Sequence, residues 1–361
     1  MTSREQEILE IIRKNPTIEQ NDIADSLGIA RSTVSVHINN LQKKGLLLGR
    51  GYIVQSERYV VGIGAANVDI YGKSDIALRP HFDHPARIYT SVGGVTRNVC
   101  ENLARLKGNV KLIAAVGDDV YGQMIVSSSE KAGIDCSNVM TVSDSSSGIF
   151  MQILDENNDM HIALCDMSVN ANLTKEYIQT KDSLLNGAGA IIFDPSLSNE
   201  LIEEILASET PCFLDPVSDV YALKIKPYLD RLYCIKCNRT EAEVLSDISI
   251  ENDNDVEKAA DIILSKGVSR VYISLGSKGA FYKDCLGNRL KKALKPVTDI
   301  KNASGAGDSF FAAVVYSYLN DFSYEKTLDY ALAAGSATIM SEKTINPQMS
   351  VELIENILKE N

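Results

Sequence analysis

The chain has 361 residues, 45% of them hydrophobic and 23% charged, with a formal net charge of −12. That length suits one large α/β domain plus a small companion, and the ordinary apolar fraction provides a sizeable core. No apolar run is long enough to span a membrane and the first residues, MTSREQEILE, are charged, so no membrane anchor or secretory leader is expected. Seven scattered cysteines fit a reduced, cytoplasmic compartment. Cys234 and Cys237 form a CxxC, but in the strand-like RLYCIKCN they would point to opposite faces, which argues against metal or redox use. The charge is uneven. Residues 1–56 hold seven Lys and Arg against six Asp and Glu, and the remainder holds 29 against 42. A near-neutral head on an acidic body implies two units with different partners and excludes a nucleic-acid coat.

In chain order, SREQEILEIIRKN places Ile8, Leu9, Ile11 and Ile12 on one helical face and stops at Asn15-Pro16. Thr17 is suited to cap IEQNDIADSLG, which Gly28 closes. IARSTVSVHINNLQKKG predicts a third helix with Ser32 as its cap, Val34, Ile38 and Leu41 inward, and Gly45 at its end. LLLGRGYIV follows as two β-prone runs about Gly49-Arg50-Gly51, a hairpin. Three helices with a tight turn and a wing resemble the winged helix-turn-helix DNA-binding domain over residues 1–55. The resemblance implies that Arg31, Ser32, Thr33, Ser35 and His37 face DNA, with Lys43, Lys44 and Arg50 near its backbone. The same residues also suit a helical packing module with solvated charges. One such head has too few cations to hold DNA alone, so binding implies a homodimer.

From Tyr59 the texture changes. RYVVGIGAANVDI reads as one buried β-run ending at Asn67-Val68-Asp69. VTRNVCENLARLKG reads as helix, NVKLIAAVG as strand and YGQMIVSSSEKAG as helix. GAIIFDP, TPCFLDP, RLYCIKCN and RVYISLG then alternate with helical SNELIEEILAS and DVEKAADIILSKG. That alternation predicts a parallel sheet with helices on both faces. Ligands in such folds sit at the carboxyl ends of strands, where Asp69, Asp194, Asp215 and Asn238 are expected. Residues 71–91 and 147–166 break the pattern. The second stretch is a hairpin around Glu156-Asn157-Asn158-Asp159, and the two together would form a small β lid.

NASGAGDSFF, Asn302 to Phe311, sets Gly305-Ala306-Gly307 before Asp308 and then enters a buried helix. Glycines allow close approach, and a helix N-terminus favours an anion, so Asp308 would lie beside a phosphate as a base. A glycine-rich cap with a first-turn acid is the plain alternative. SVGGVTRNVCENLARL, VGDDVYG, CNRTEAEVL, SLGSKGAF and NASGAGDSFFAAVV, in this order, resemble the ribokinase (PfkB) family of carbohydrate and nucleoside kinases over residues 58–361. The resemblance implies the ribokinase-like α/β fold, a doubly wound, mostly parallel sheet with a small β lid. It makes Asp308 the base, and it makes Gly305, Ala306 and Gly307 donors to the transferring phosphoryl group.

The same resemblance implies ATP and Mg²⁺. Asn238 and Glu241 match N-x-x-E, which holds Mg²⁺ largely through water. Gly276 and Gly279 match the nucleotide loop, while Asp69, Gly93, Gly94 and Asn98 match the sugar site. Glu241 also suits a first-turn helix acid, and Asp69 a strand-end turn. Asn302-Ala303-Ser304 replaces the family's Asp-Thr-Thr, which puts its monovalent-cation site in doubt. GGVTRN lacks the ribose kinases' lysine, at Val95. GGVTRN, ALCDMSVN and NASGAGD look like the pseudouridine kinases, which implies phosphorylation of a nucleoside 5′-hydroxyl with Asp166 meeting the base. A solvated lid acid is the alternative for Asp166. Another nucleoside, a sugar of the ribose or fructose type, or a nucleoside-sensing transcriptional regulator are the competing functions. Ribokinase-like enzymes pair through the lid, so lid closure would offer a route to two heads on a two-fold symmetric operator.

Overall fold

The structure is a computed structural model and describes residues 1–48, 58–156 and 159–361. The hairpin expected at Gly49-Arg50-Gly51, Arg50 with it, and the Asn157-Asn158 turn lie outside the described residues. In the head, α1 (Ser3–Lys14), α2 (Gln20–Leu27) and α3 (Arg31–Lys43) pack Ile8, Leu9, Ile12, Ile23, Val34, Ile38 and Leu41 into one cluster. A reciprocal cap starts α1: Thr2 Oγ1 accepts from the Glu5 N–H at 3.2 Å and Glu5 from the Thr2 N–H at 2.7 Å. Two expected caps differ. Thr17 instead donates its N–H and hydroxyl to Asn15 Oδ1, so α2 starts after Glu19, and Ser32 lies inside α3 behind Ala30.

The body begins with β1 (Tyr59–Ile63), which stops at Gly64. β2 (Asn67–Ser74) and β3 (Ala86–Gly93) then leave the main sheet. RYVVGIGAANVDI is therefore two strands, because the Ala65 N–H donates to Asp194 at 2.8 Å and turns the chain out. The chain returns through α4 (Val95–Arg105) and β4 (Asn109–Ile113), breaks at Ala114, and continues as β5 (Ala115–Gly117), α5 (Val120–Lys131) and β6 (Met140–Val142). The hairpin β7 (Gly148–Leu154) and β8 (Met160–Asp166) follows, then α6 (Lys175–Gln179) and α7 (Asp182–Asn186). Next come β9 (Ala190–Phe193), α8 (Asn199–Ile205), β10 (Cys212–Leu214), α9 (Asp219–Ile225) and β11 (Cys234–Asn238). α10 (Arg239–Ser246), α11 (Asp253–Ser265) and β12 (Arg270–Ser274) lead to the edge strands β13 (Ala280–Asp284) and β14 (Arg289–Lys292). α12 (Ala306–Leu319), α13 (Tyr324–Ile339) and α14 (Val351–Lys359) complete the chain.

Among the described residues the main sheet runs β14-β13-β12-β11-β10-β9-β1-β4, parallel from β4 to β12 and antiparallel at the last two pairings. One face packs on α4, α5 and α12 to α14, the other on α6 to α11. Cys234 and Cys237 fall in different clusters, on opposite faces of the sheet as expected. No described helix is long and apolar enough to cross a membrane.

The lid is a second sheet ordered β3-β2-β7-β8. Its register sets Asp69 beside Phe150 and Cys165, and Tyr71 beside Tyr89 and Gln152, on one face. The other face carries Ile70, Ile88, Met151, Ile153, Ile162, Leu164 and Asp166. Asp69 therefore lies in a lid strand, not at the end of a main-sheet strand as expected.

Head meets body at Gly45 (φ +66), where a Cβ would lie 2.1 Å from the Ser183 carbonyl oxygen. Asn40, Lys43, Ala188 and Pro211 line the adjoining groove. Ala188 and Pro211 precede β9 and β10, so the head sits at the amino ends of the parallel strands.

Candidate active site

At the carboxyl ends, α12 opens on Gly305 in the left-handed conformation (φ +79), and a Cβ there would sit 2.0 Å from the Thr344 carbonyl oxygen. Phe310 to Val315 anchor the helix in the core, so its first turn is held with unpaired N–H groups outward. Asp308 lies in that turn, half-buried, and accepts from Asn98 Nδ2 at 3.0 Å. Burial foremost, and then the charges of Asp215 and Asp69, push its carboxyl up to about 6; the Asn98 bond and Lys236 pull the other way. Asn98 is buried on α4, and its Oδ1 has no partner. Asp69 accepts from Asn67 Nδ2 at 2.7 Å, and burial raises its carboxyl as well.

The two glycines expected at the sugar site let the backbone approach other protein atoms closely. A Cβ on Gly93 would fall 2.2 Å from Asp69 Oδ2, and one on Gly94 (φ +97) 2.4 Å from the Ala65 carbonyl oxygen. They set Asp69 and the β1–β2 break. The arginine of GGVTRN, Arg97, is buried, pairs with Glu101 one turn on in α4 at 2.5 Å, and ties α4 to α5 through Ser128 and Ser129. Asp166 stands apart. It is exposed, its Oδ1 accepts from the Ser168 N–H at 3.0 Å, and it shares the lid face opposite Asp69.

N-x-x-E at the end of β11 is also a reciprocal helix cap. Asn238 Oδ1 accepts from the Glu241 N–H at 2.9 Å and Glu241 Oε2 from the Asn238 N–H at 2.8 Å. Burial first, then Asp215, pushes Glu241 up to about 7, which a nearby dication would reverse. Among the described residues no group of three or more His, Cys, Asp or Glu could hold a metal. One amide and one carboxylate fit a Mg²⁺ that keeps its waters and rides on phosphates, not a closed cage.

Beside them lies a cavity of about 380 Å³ lined by Gly276, Gly279, Leu294, Val297, Ile300, Leu332 and Ile339, reaching Ala306 and Gly307. Gly276 (φ +60) has open space where a Cβ would go, whereas Gly279 (φ +84) presses on the Lys292 carbonyl oxygen. The Leu294–Ile300 wall has no polar motif, and its apolar residues have no helix or strand period to mark them. Lys236 also escaped sequence reasoning. Nearly fully buried, it donates to Asp215 Oδ2 at 2.6 Å, and its Nζ lies 3.0 Å from where a Gly307 Cβ would be. Its one signal was a lysine in the middle of an apolar strand.

In the head, Arg31, Ser32 and Thr33 are exposed, while Ser35 and His37 are half-buried and His37 Nδ1 has no partner. Val36 and Asn39, unpredicted, fill the solvent face of α3. Lys44 binds the buried Glu5 at 3.0 Å, and Lys43 borders the body.

A carboxylate of near-neutral proton affinity, an open helix N-terminus and an apolar slot leading to it make a phosphotransferase centre, since phosphoryl transfer asks chiefly for alignment and charge neutralisation. The chain belongs to the PfkB family: the pfkB family carbohydrate kinase model matches residues 57–350. It is a ribokinase-type carbohydrate or nucleoside kinase. A winged helix-turn-helix DNA-binding model matches residues 1–47. The uncharacterized sugar kinase YeiI of Escherichia coli (strain K12) is 34% identical over 98% of both chains. The pseudouridine kinase of the same strain is 31% identical, over 84% of this chain and 98% of that one. A putative sugar kinase from Clostridium perfringens superimposes with a TM-score of 0.77 at 34% identity, covering 85% of this chain and 97% of its own.

Proposed function

We propose that the body phosphorylates the 5′-hydroxyl of a nucleoside, pseudouridine first among them, using ATP and Mg²⁺. The observation that carries this reading is the Asn98–Asp308 pair set at the first turn of α12 beside the apolar slot. Asp308 takes the hydroxyl proton. Asn98 holds that carboxylate through Nδ2 and offers its partnerless Oδ1 to a second substrate hydroxyl, and Asp69 accepts from others. N–H groups of Gly305, Ala306 and Gly307 receive charge from the transferring group. Asn238 and Glu241 would hold Mg²⁺, which when bound would supply charge neutralisation at the phosphates.

A nucleoside is favoured over ribose by Val95 in place of the ribose kinases' lysine and by the likeness to the pseudouridine kinase. The lid face shared with Asp69 adds the stacked Tyr71–Tyr89 pair, centroids 4.9 Å apart, and the amide of Gln152. With Asp166 on the other face, Gln152 is the better-placed reader of an imide edge. No monovalent cation is needed. Asn302 Nδ2 donates to the Glu342 carbonyl at 3.1 Å and Asn302 Oδ1 accepts from the Ser304 N–H, so an amide ties the loop before α12. Replacing potassium by tetramethylammonium is expected to leave turnover unchanged.

The head reads DNA through Arg31, Ser32, Thr33, Val36 and Asn39, as a homodimer paired through the apolar outer face of the lid. Steady-state kinetics on pseudouridine, uridine, inosine and ribose tests the substrate assignment. Pseudouridine is expected to give the highest kcat/KM, and ribose in that place would overturn the nucleoside reading.

A further inference from the structure

We infer that Lys236, paired with Asp215 behind the first turn of α12, is a positioning residue that keeps Asp308 in its proton-accepting form. This rests on the base role proposed for Asp308. Lys236 stands in the middle of β11, 5% exposed, beside Cys234 and Ile235, which are fully buried. Burying an ion pair there costs desolvation that an apolar residue would avoid, so its presence asks for a use. The pair is also one-sided. Asp215 Oδ1 is occupied by the Val217 N–H at 2.9 Å and Oδ2 by Lys236. The ammonium lies against Gly307, one residue from Asp308, and interacts as well with Glu241.

The charged groups around Asp308 come from every element that meets it. Asp69 reaches in from β2 with Arg97 behind it on α4, Asp215 follows β10, Lys236 is on β11 and Glu241 is on α10. Three carboxylates besides Asp308 thus crowd the centre, and Lys236 is the cation among them on the α12 side. Without it, ionising Asp308 would be opposed by burial and by like charge, with only the Asn98 bond in its favour. The base would then be protonated over much of the neutral range.

The test is the acid limb of kcat/KM against pH, measured with the acceptor of highest kcat/KM in the substrate comparison above. Lys236→Gln keeps a hydrogen-bond donor for Asp215 but removes the charge, and the limb is expected to move up by about 1 pH unit. Asp215→Asn removes an opposing charge, so the limb is expected to move down. The double variant strands no buried charge, and against Asp215→Asn its limb should again rise by about 1 unit. Thus the effect of Lys236 is read in two backgrounds, and one suffices if Lys236→Gln fails to fold. Equal losses of rate with the limb unmoved would reduce the pair to a structural brace and overturn the inference. A rise in KM for ATP with the limb unmoved would make Lys236 a phosphate ligand, which overturns it too. Asp308→Asn is measured alongside. Its retaining turnover would sink the base role itself, whereas its inactivity with an unmoved Lys236→Gln limb would sink this inference alone.

Discussion

Asp308 is half-buried, and in the proposed base role it must nonetheless lose its proton. Asp308→Asn keeps the shape and the Asn98 contact, so substrate binding should persist while kcat falls by about 10²–10⁴-fold, read by rapid-mix kinetics and calorimetric titration. The same burial has a linkage consequence. Folded-state values of about 6 for Asp308 and about 7 for Glu241 lie above the ordinary carboxylate range. These two groups therefore hold more protons in the folded protein than in the unfolded chain between about pH 4 and 7, and their contribution to ligand-free stability should fall as pH rises through that window. Glu241→Gln should flatten the fall, as heat-unfolding midpoints at pH 5 and 7.5 would record; an unchanged slope would count against the strain on Glu241. At this scale the Asn238–Glu241 cap and the place of Asp308 in the first turn of α12 were legible, because N-x-x-E spacing spells out a reciprocal cap and GAGD a glycine-led helix start. Lys236 was not, since one lysine in a strand gives no hint of the carboxylate across the sheet.

Elements were legible where period and punctuation agreed, as in α3, α11 and the β7–β8 hairpin. β1 and β2 read as one strand because the break between them depends on Asp194, 129 residues beyond Ala65 in the chain. Pleat was the harder matter. Which lid residues share a face with Asp69 follows from register with β7 and β8, and a one-residue difference sends Asp166 to the far side. That far face exposes Ile88, Met151, Ile153, Ile162 and Leu164, a patch suited to a second copy of the same lid. Leu164→Asp is expected to shift the protein from dimer to monomer in analytical ultracentrifugation. A wild-type protein sedimenting as a monomer would remove the lid as a pairing surface.

For the whole molecule, two units were visible in charge and texture, but their mutual placement was not. The head's cluster shares no residue with either body cluster. It sits at the amino ends of strands whose carboxyl ends face Asp308, Asp215 and Glu241. On the proposed function, the substrate site and the described head residues thus lie at opposite ends of the parallel strands, and an influence of substrate on DNA would pass along the sheet or through a partner copy's lid.

The seam at Gly45 sets the terms for such influence. Backbone there lies on backbone, with the Gly45 carbonyl oxygen also 3.0 Å from the position of a Gly187 Cβ. One added carbon is a wedge: Gly45→Ala, strained at φ +66 and driven into Ser183, should tilt the head off its seat while the distant kinase centre runs at its normal rate. Small-angle scattering would register the larger radius of gyration, and unchanged scattering would mean the seam yields. Reader and enzyme would then be separable by a single methyl group, a switch made by mutation where no hinge needs to be built.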